Sequence, residues 1–151
     1  MNLIFKEVEF KELGFIAAWD KDINLTPWTY NDYVASYNNP HNHIVIIIDN
    51  DTIVGSMTYS IIKDEAEILQ LFILKDYQKK GYGYQALELF INQVCIPNGI
   101  AQVLLEVRSD NIWAQHLYSK LGFVEVYVRV NYYKCGDKLI DAKVMLKSII
   151  C

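Results

Sequence analysis

The chain has 151 residues, 52% of them hydrophobic, 21% charged and 13% aromatic, with only three prolines; this excludes a disordered or low-complexity segment and reads as one globular domain over 1–151. The apolar run His43 to Ile48 is too short to cross a bilayer, and Met1 to Glu12 lacks the continuous apolar stretch of a signal peptide, so a cytoplasmic protein without a membrane partner is expected. A net charge of −4 argues against a nucleic-acid partner, and Cys95, Cys135 and Cys151, widely spaced and without a C-x-x-C, read as free thiols rather than disulfides or metal ligands.

Asn2 to Val8 alternates as a first strand. From Phe10 to Asp22 the period changes, with Leu13, Ile16, Ala17 and Asp20 on one helical face. Thr26-Pro27-Trp28 has the form of a helix start, with Thr26 as cap and Pro27 in the first helical position, and Asn38-Asn39-Pro40 ends that helix. Three apolar, β-branched runs between His43 and Leu74 are separated by Asp49-Asn50-Asp51 and Lys63-Asp64-Glu65, the signature of antiparallel hairpins. Gly81 to Val94 returns to helical spacing, with Leu87, Phe90, Ile91 and Val94 as its apolar stripe. A buried strand over Ala101 to Val107 precedes a helix from Asn111 to Leu121, capped by Ser109 or Asp110 and closed by Gly122. Strands over Phe123 to Cys135 and Lys138 to Lys147, joined by Gly136-Asp137, finish the chain. The order β-α-α-β-β-β-α-β-α-β-β predicts an α+β domain with a central mixed sheet flanked by helices.

Two of the seven glycines lie in Gln78-Lys79-Lys80-Gly81-Tyr82-Gly83, where a strand gives way to a helix. Glycine lets backbone amides approach a ligand, a helix start presents unpaired N–H groups, and the two lysines add full charge, so the segment suits a pyrophosphate. The alternative is a plain helix start with solvated lysines. Gly81 to Ala86 also fits the G-x-G-x-x-A dinucleotide form, with Glu106 at the end of the next strand. A dinucleotide fold, however, requires a run of βα units, and here the motif follows three hairpin-linked strands. No Gly-Lys-Ser/Thr follows, which excludes a Walker A loop.

Ile68 to Leu74, Gln78 to Gly83, then Asn111, Ala114, Leu117-Tyr118 and Leu121-Gly122-Phe123 together resemble the central motifs of the GNAT superfamily of N-acetyltransferases. Leu105-Glu106-Val107-Arg108, Asn131-Tyr132-Tyr133, Asp141-Ala142 and Pro27-Trp28 narrow the resemblance to ribosomal-protein alanine N-acetyltransferases of RimI type. The resemblance implies a GNAT-like fold and transfer of an acetyl group from acetyl-CoA to a primary amine by direct attack, without a metal. It places the cofactor along Leu71, Phe72 and Ile73 and across Gln78, Lys79, Lys80, Gly81, Tyr82, Gly83 and Tyr84, with Asn111 and Tyr118 beside it. Gly81 and Gly83 are the positions expected to tolerate a β-carbon least. Lysines stand where the family often has arginine, and Tyr82 and Tyr84 replace an aliphatic and a polar residue; a point charge still serves a phosphate, without the bidentate fork.

An α-amine, with a pKa of about 7.7–8.0, must lose a proton to attack, and a thiolate whose thiol pKa is roughly 8.5 must gain one. By the resemblance Glu106 is the general base and Tyr118 the general acid. Their plain alternatives are an ion pair, for instance of Glu106 with Arg108, and a core-packed ring for Tyr118. Trp28, Tyr30, Tyr132 and Tyr133 are candidate walls of the acceptor groove; His116, His41 and His43 receive no role. The expected partner is a protein N-terminus, that of a small ribosomal-subunit protein in the resembled group. A small-molecule amine, a lysine side chain, or noncatalytic sensing of acyl-CoA remain alternatives. Residues 1–60 hold eight acids against three lysines, a net −5, and residues 61–151 ten acids against eleven bases, a net +1; an acidic front half would favour a cationic acceptor.

Overall fold

The structure, a computed structural model, describes residues 1–149. Seven strands form one sheet in the order β1-β2-β3-β4-β5-β7-β6: β1 Leu3–Glu7, β2 Asn42–Asp49, β3 Thr52–Ile62, β4 Glu65–Ile73, β5 Gln102–Arg108, β6 Val124–Cys135 and β7 Lys138–Ser148. Four helices, α1 Leu13–Ile23, α2 Tyr30–Tyr37, α3 Tyr82–Phe90 and α4 Ile112–Lys120, complete the expected order. Among the described residues no helix is long and apolar enough to cross a membrane. Cys95 is buried and Cys135 half-buried, both free thiols; Cys151 lies outside the described residues.

Helices cover both faces of the central strands, and β2 records this directly. Ile44, Val45, Ile46 and Ile47 are all buried in succession. Val45 and Ile47 join one core with Leu87 and Phe90 of α3, while Ile44 and Ile46 join the other with Leu13 and Ile16 of α1 and Tyr33 of α2. A strand covered on both sides reads as a continuous apolar run, because successive side chains point to opposite faces.

One feature of the sheet positions the site. β4 and β5 are neighbours and parallel, but they pair only from Glu65 opposite Gln102 to Ile68 opposite Leu105. Beyond that point the strands diverge. A bulge on the β3 side, where Tyr59 is opposite Ile68 and Thr58 opposite Gln70, falls at the same level of β4; bulges bend a strand and increase its twist. The C-terminal half of β4 and the end of β5 therefore form the two sides of a wedge.

Three helix boundaries differ from the sequence expectation. Thr26-Pro27 does not start α2. The amide of Trp28 donates to Asp20 Oδ2 at 3.2 Å, which ties this segment down as a loop. Thr29 is the cap instead: its Oγ1 accepts from the Asp32 amide at 3.2 Å and Asp32 Oδ2 accepts from the Thr29 amide at 2.8 Å, a reciprocal arrangement worth about 1 kcal/mol. Neither Ser109 nor Asp110 caps α4; Asn111 does, its Oδ1 accepting from the Ala114 amide at 3.1 Å. α3 is α-helical only to Phe90, and Ile91–Cys95 form a π-helical turn in which the Ile96 amide donates to the Ile91 carbonyl at 3.0 Å.

Candidate active site

The wedge between β4 and β5 opens into two clefts. The larger, about 1060 Å³, is bordered by Leu71, Phe72 and Ile73 of β4, by the whole Gln78 to Tyr84 segment, and by Asn111, Leu117 and Tyr118 at α4. Every residue expected along the donor lies on it. The smaller, about 400 Å³, is bordered by Trp28, Glu67, Gln70, Glu106, Arg108, Tyr132 and Tyr133 among others. Leu71, Asn111, Ala114, Tyr118 and Asn24 border both, so Tyr118 stands where the two meet. Tyr30 borders neither; it is the exposed first residue of α2.

The larger cleft owes its form to chain geometry. Gly81 adopts φ +88°, the left-handed region, and ends the turn that leads into α3. Lys79 is also left-handed, at φ +61°. The first amides of α3 have no helical partner and point out of its N-terminus, so the turn offers donors and partial positive charge together. Tyr82, at the first position of α3, donates its hydroxyl to Asp49 Oδ2 at 2.6 Å and anchors the helix start to the end of β2. That bond holds the Asp49 carboxyl below its usual range and pushes the Tyr82 phenol up. On β4 the divergence from β5 leaves main-chain groups of residues 69–73 without a strand partner on that side.

The two expectations for glycine resolve differently. A Cβ on Gly81 would meet only Met1 Cε at 3.7 Å, so its restriction is the backbone angle and not space. A Cβ on Gly83 would lie 3.3 Å from Leu117 Cδ2, the end of a flexible side chain. Gly55 of β3 is tighter than either: its Cβ would come within 2.3 Å of the Phe72 carbonyl oxygen. Motif position drew attention to Gly83; a strand glycine facing β4 leaves no comparable trace in the sequence.

In the smaller cleft Glu106 does not pair with Arg108. Arg108 is turned to Asp110, with Nε 2.9 Å from Oδ1 and Nη2 2.8 Å from Oδ2. Glu106 Oε1 instead lies 2.9 Å from Arg129 Nε of β6, and burial, followed by the charge of the same carboxylate, pushes the Tyr132 phenol up. Glu106 retains 19% side-chain exposure and Arg129 49%, so the pair stands at the cleft and not beneath it. Glu67 of β4 borders the same cleft, and burial together with the charge of Glu106 pushes its carboxyl up. Burial first, then Glu106, pushes the Tyr133 phenol up to about 12.

Tyr118 packs its ring against Phe123, centroids 5.8 Å apart, and burial alone pushes its phenol up to about 12. It is at once a core-packed ring and a proton-bearing hydroxyl at a cleft junction. Asn111 borders both clefts, but its side-chain oxygen is committed to capping α4.

Glu67, Arg129, Gln70 and Asn24 were not singled out from the sequence. Arg129 reaches Glu106 only because β7 lies between β5 and β6 and the β6–β7 register shifts between Arg129 and Tyr133. His116 is exposed yet borders the larger cleft. His43 does have a carboxylate partner, Glu7 Oε1 at 3.1 Å across the β1–β2 pair, and its ring stacks on Tyr59. No cluster of three or more His, Cys, Asp or Glu that could hold a metal occurs among the described residues.

The charges of the clefts are opposite. Lys79, Lys80 and Lys120 border the larger one and no acid does. Glu67 and Glu106 border the smaller one, with Arg108 already held by Asp110. The acids of the front half border neither cleft; that half supplies Asn24, Thr26 and Trp28 to the smaller one, and the carboxylates there come from β4 and β5. The sequence-based link between front-half acids and a cationic acceptor is corrected accordingly.

Comparison with known proteins adds a family to this geometry. Residues 13–123 match the model of the acetyltransferase (GNAT) family. The [ribosomal protein bS18]-alanine N-acetyltransferase of Salmonella typhimurium is 28% identical over 135 residues, covering 88% of this chain and 90% of that protein. Its counterpart in Escherichia coli K12 is 30% identical over 123 residues, 82% of each chain. The crystal structure of the ribosomal-protein-S18-alanine N-acetyltransferase from Escherichia coli superposes with a TM-score of 0.87 at 26% identity, covering 97% of this chain and 94% of that one.

Proposed function

The chain belongs to the acetyltransferase (GNAT) family, and from that premise we propose that it transfers the acetyl group of acetyl-CoA to the N-terminal α-amine of an alanine-starting protein, a ribosomal protein of the bS18 kind. The observation that carries this reading is the pair of clefts of opposite charge that meet at Tyr118. A long cleft bordered by three lysines and no acid suits an anionic donor, and a short one bordered by two carboxylates suits an amine that arrives as a cation.

Acetyl-CoA, when bound, supplies the activated acetyl group. Lys79, Lys80 and the α3 N-terminus receive its phosphates, and the free main chain of β4 receives its amide-bearing arm. Glu106, oriented by Arg129, takes the proton that the α-ammonium must lose. As the amine nitrogen bonds to the carbonyl carbon and the carbon–sulfur bond breaks, Tyr118 gives its hydroxyl proton to the departing sulfur, and the second proton that the nitrogen sheds on becoming an amide restores the phenol. A phenol pushed up to about 12 is fully protonated at neutral pH, which is the state this role requires. The similarity to bS18-alanine N-acetyltransferases along most of the chain supports a peptide acceptor over a small amine.

A panel of peptides differing in the first residue, incubated with labelled acetyl-CoA, tests the acceptor. Label on the alanine-starting peptide is expected; label confined to polyamines or lysine side chains overturns the reading. Glu106→Gln and Tyr118→Phe should each lower kcat by about 10²- to 10⁴-fold, the usual range for general acid–base groups, while the affinity for acetyl-CoA stays within a few-fold. Undiminished rates in both variants would remove the mechanism.

A further inference from the structure

Asp20 lies on α1, at the bottom of the apolar stripe, with 0% of its surface exposed. A carboxylate in such a place is costly unless every lone pair finds a donor. Here the donors come from four parts of the chain. Asn24 Nδ2 donates to Oδ1 from just past the end of α1. Oδ2 accepts from the Trp28 amide at 3.2 Å, from the Tyr33 hydroxyl of α2 at 2.5 Å, and from Gln70 Nε2 of β4 at 2.9 Å.

Three of these partners border the smaller cleft. Asn24 and Trp28 form its front wall, and Gln70 lies on β4, where that strand leaves β5. Asp20 itself touches neither cleft. All four partners donate to it, so an acceptor-only carboxylate satisfies them as they stand. An amide in its place keeps all four bonds only if the Asn24 side chain rotates to present its oxygen.

From this knot we infer that Asp20 is a positioning residue for the acceptor: it ties the Asn24 to Trp28 loop to Gln70 and so fixes the width of the cleft that the amine enters. The role deepens the proposed acetyl transfer and rests on it. The carboxylate acts on the acceptor through Asn24, Trp28 and Gln70; of these only Asn24 also borders the larger cleft, whose lysines and glycine turn lie on other elements.

Tyr33→Phe tests the knot from its far side. Tyr33 is fully buried and borders neither cleft, and phenylalanine keeps the edge-to-face packing against Trp28, whose ring centroid lies 5.3 Å away. Steady-state kinetics of the full chain, with whichever amine the wild type acetylates, should show acceptor KM raised roughly three- to tenfold in Tyr33→Phe and roughly ten- to a hundredfold in Asp20→Asn. In both, kcat and the acetyl-CoA Kd, measured by calorimetry, should change less than about threefold. If Asp20→Asn does not fold, Tyr33→Phe alone decides. An unchanged acceptor KM, or a parallel loss of acetyl-CoA affinity as from general loosening, overturns the role. Failure of the wild type to label an alanine peptide would instead overturn the acceptor reading.

Discussion

Glu67 and Glu106 face one cleft, where Arg108 is held by Asp110 and Arg129 offsets them in part, and the cost falls on Glu67. Its charged form is disfavoured in the folded state by burial and by its neighbour. A raised folded pKa means that the folded protein binds this proton more tightly than the unfolded chain does. The penalty is therefore fully present above the raised value and is lost as pH falls through it towards the ordinary carboxylate range. Glu67→Gln should raise the melting temperature near pH 7.5 and leave it unchanged near pH 3.5; melts at the two pH values check this, and an equal shift at both would contradict it. Glu106 and Tyr118 were legible in the sequence because motif blocks carried them. Their surroundings were not. Arg129 is brought to Glu106 by a sheet order that places β7 between their strands, and Asp20 read as a helix-face residue because its four donors converge only in three dimensions.

Periodicity gave all seven strands and four helices, since each element buries at least one patterned face. What it missed were ends decided by one or two hydrogen bonds: Thr29 rather than Thr26, and Asn111 rather than its two predecessors. The glycines extend this lesson to contacts between elements. Gly81→Ala should destabilise by about 1–3 kcal/mol through its left-handed backbone. Gly55→Ala should cost about the same by a different route, forcing β3 away from the Phe72 carbonyl. Because Phe72 borders the larger cleft, the second variant should also weaken acetyl-CoA binding, although Gly55 itself borders neither cleft. Gly83→Ala should be milder than both, Leu117 yielding at its tip. Denaturant titrations rank the three, and a Gly83→Ala loss exceeding the others would contradict the ranking.

Across the whole molecule the net charge of −4 conceals a sorting that the linear split into halves did not describe. The cationic cleft draws on the β4–α3 turn and α4; the anionic one draws on β4 and β5, strands from the more basic part of the chain. Acetyl-CoA affinity should accordingly fall as salt rises, because Lys79, Lys80 and Lys120 act at solvent-accessible distances where counterions screen. Replacing all three by Gln should flatten that dependence, and an unaltered slope of log Kd against log salt would show that the lysines are spectators.

The parting of β4 from β5 has a consequence for how such a protein changes over time. The surface it exposes is main chain, present whatever side chains the strand carries, so residues 69–73 are free to follow the demands of the two cores while donor recognition persists. Only proline, which deletes an amide, or a mutation that lets the strands zip together, would erase it. The acceptor preference we propose, whose cleft is bordered by Glu67, Trp28, Tyr132 and Tyr133, has no such protection. The fold thus separates what can drift from what cannot, with one half of the reaction stored in the backbone and the other exposed to every substitution.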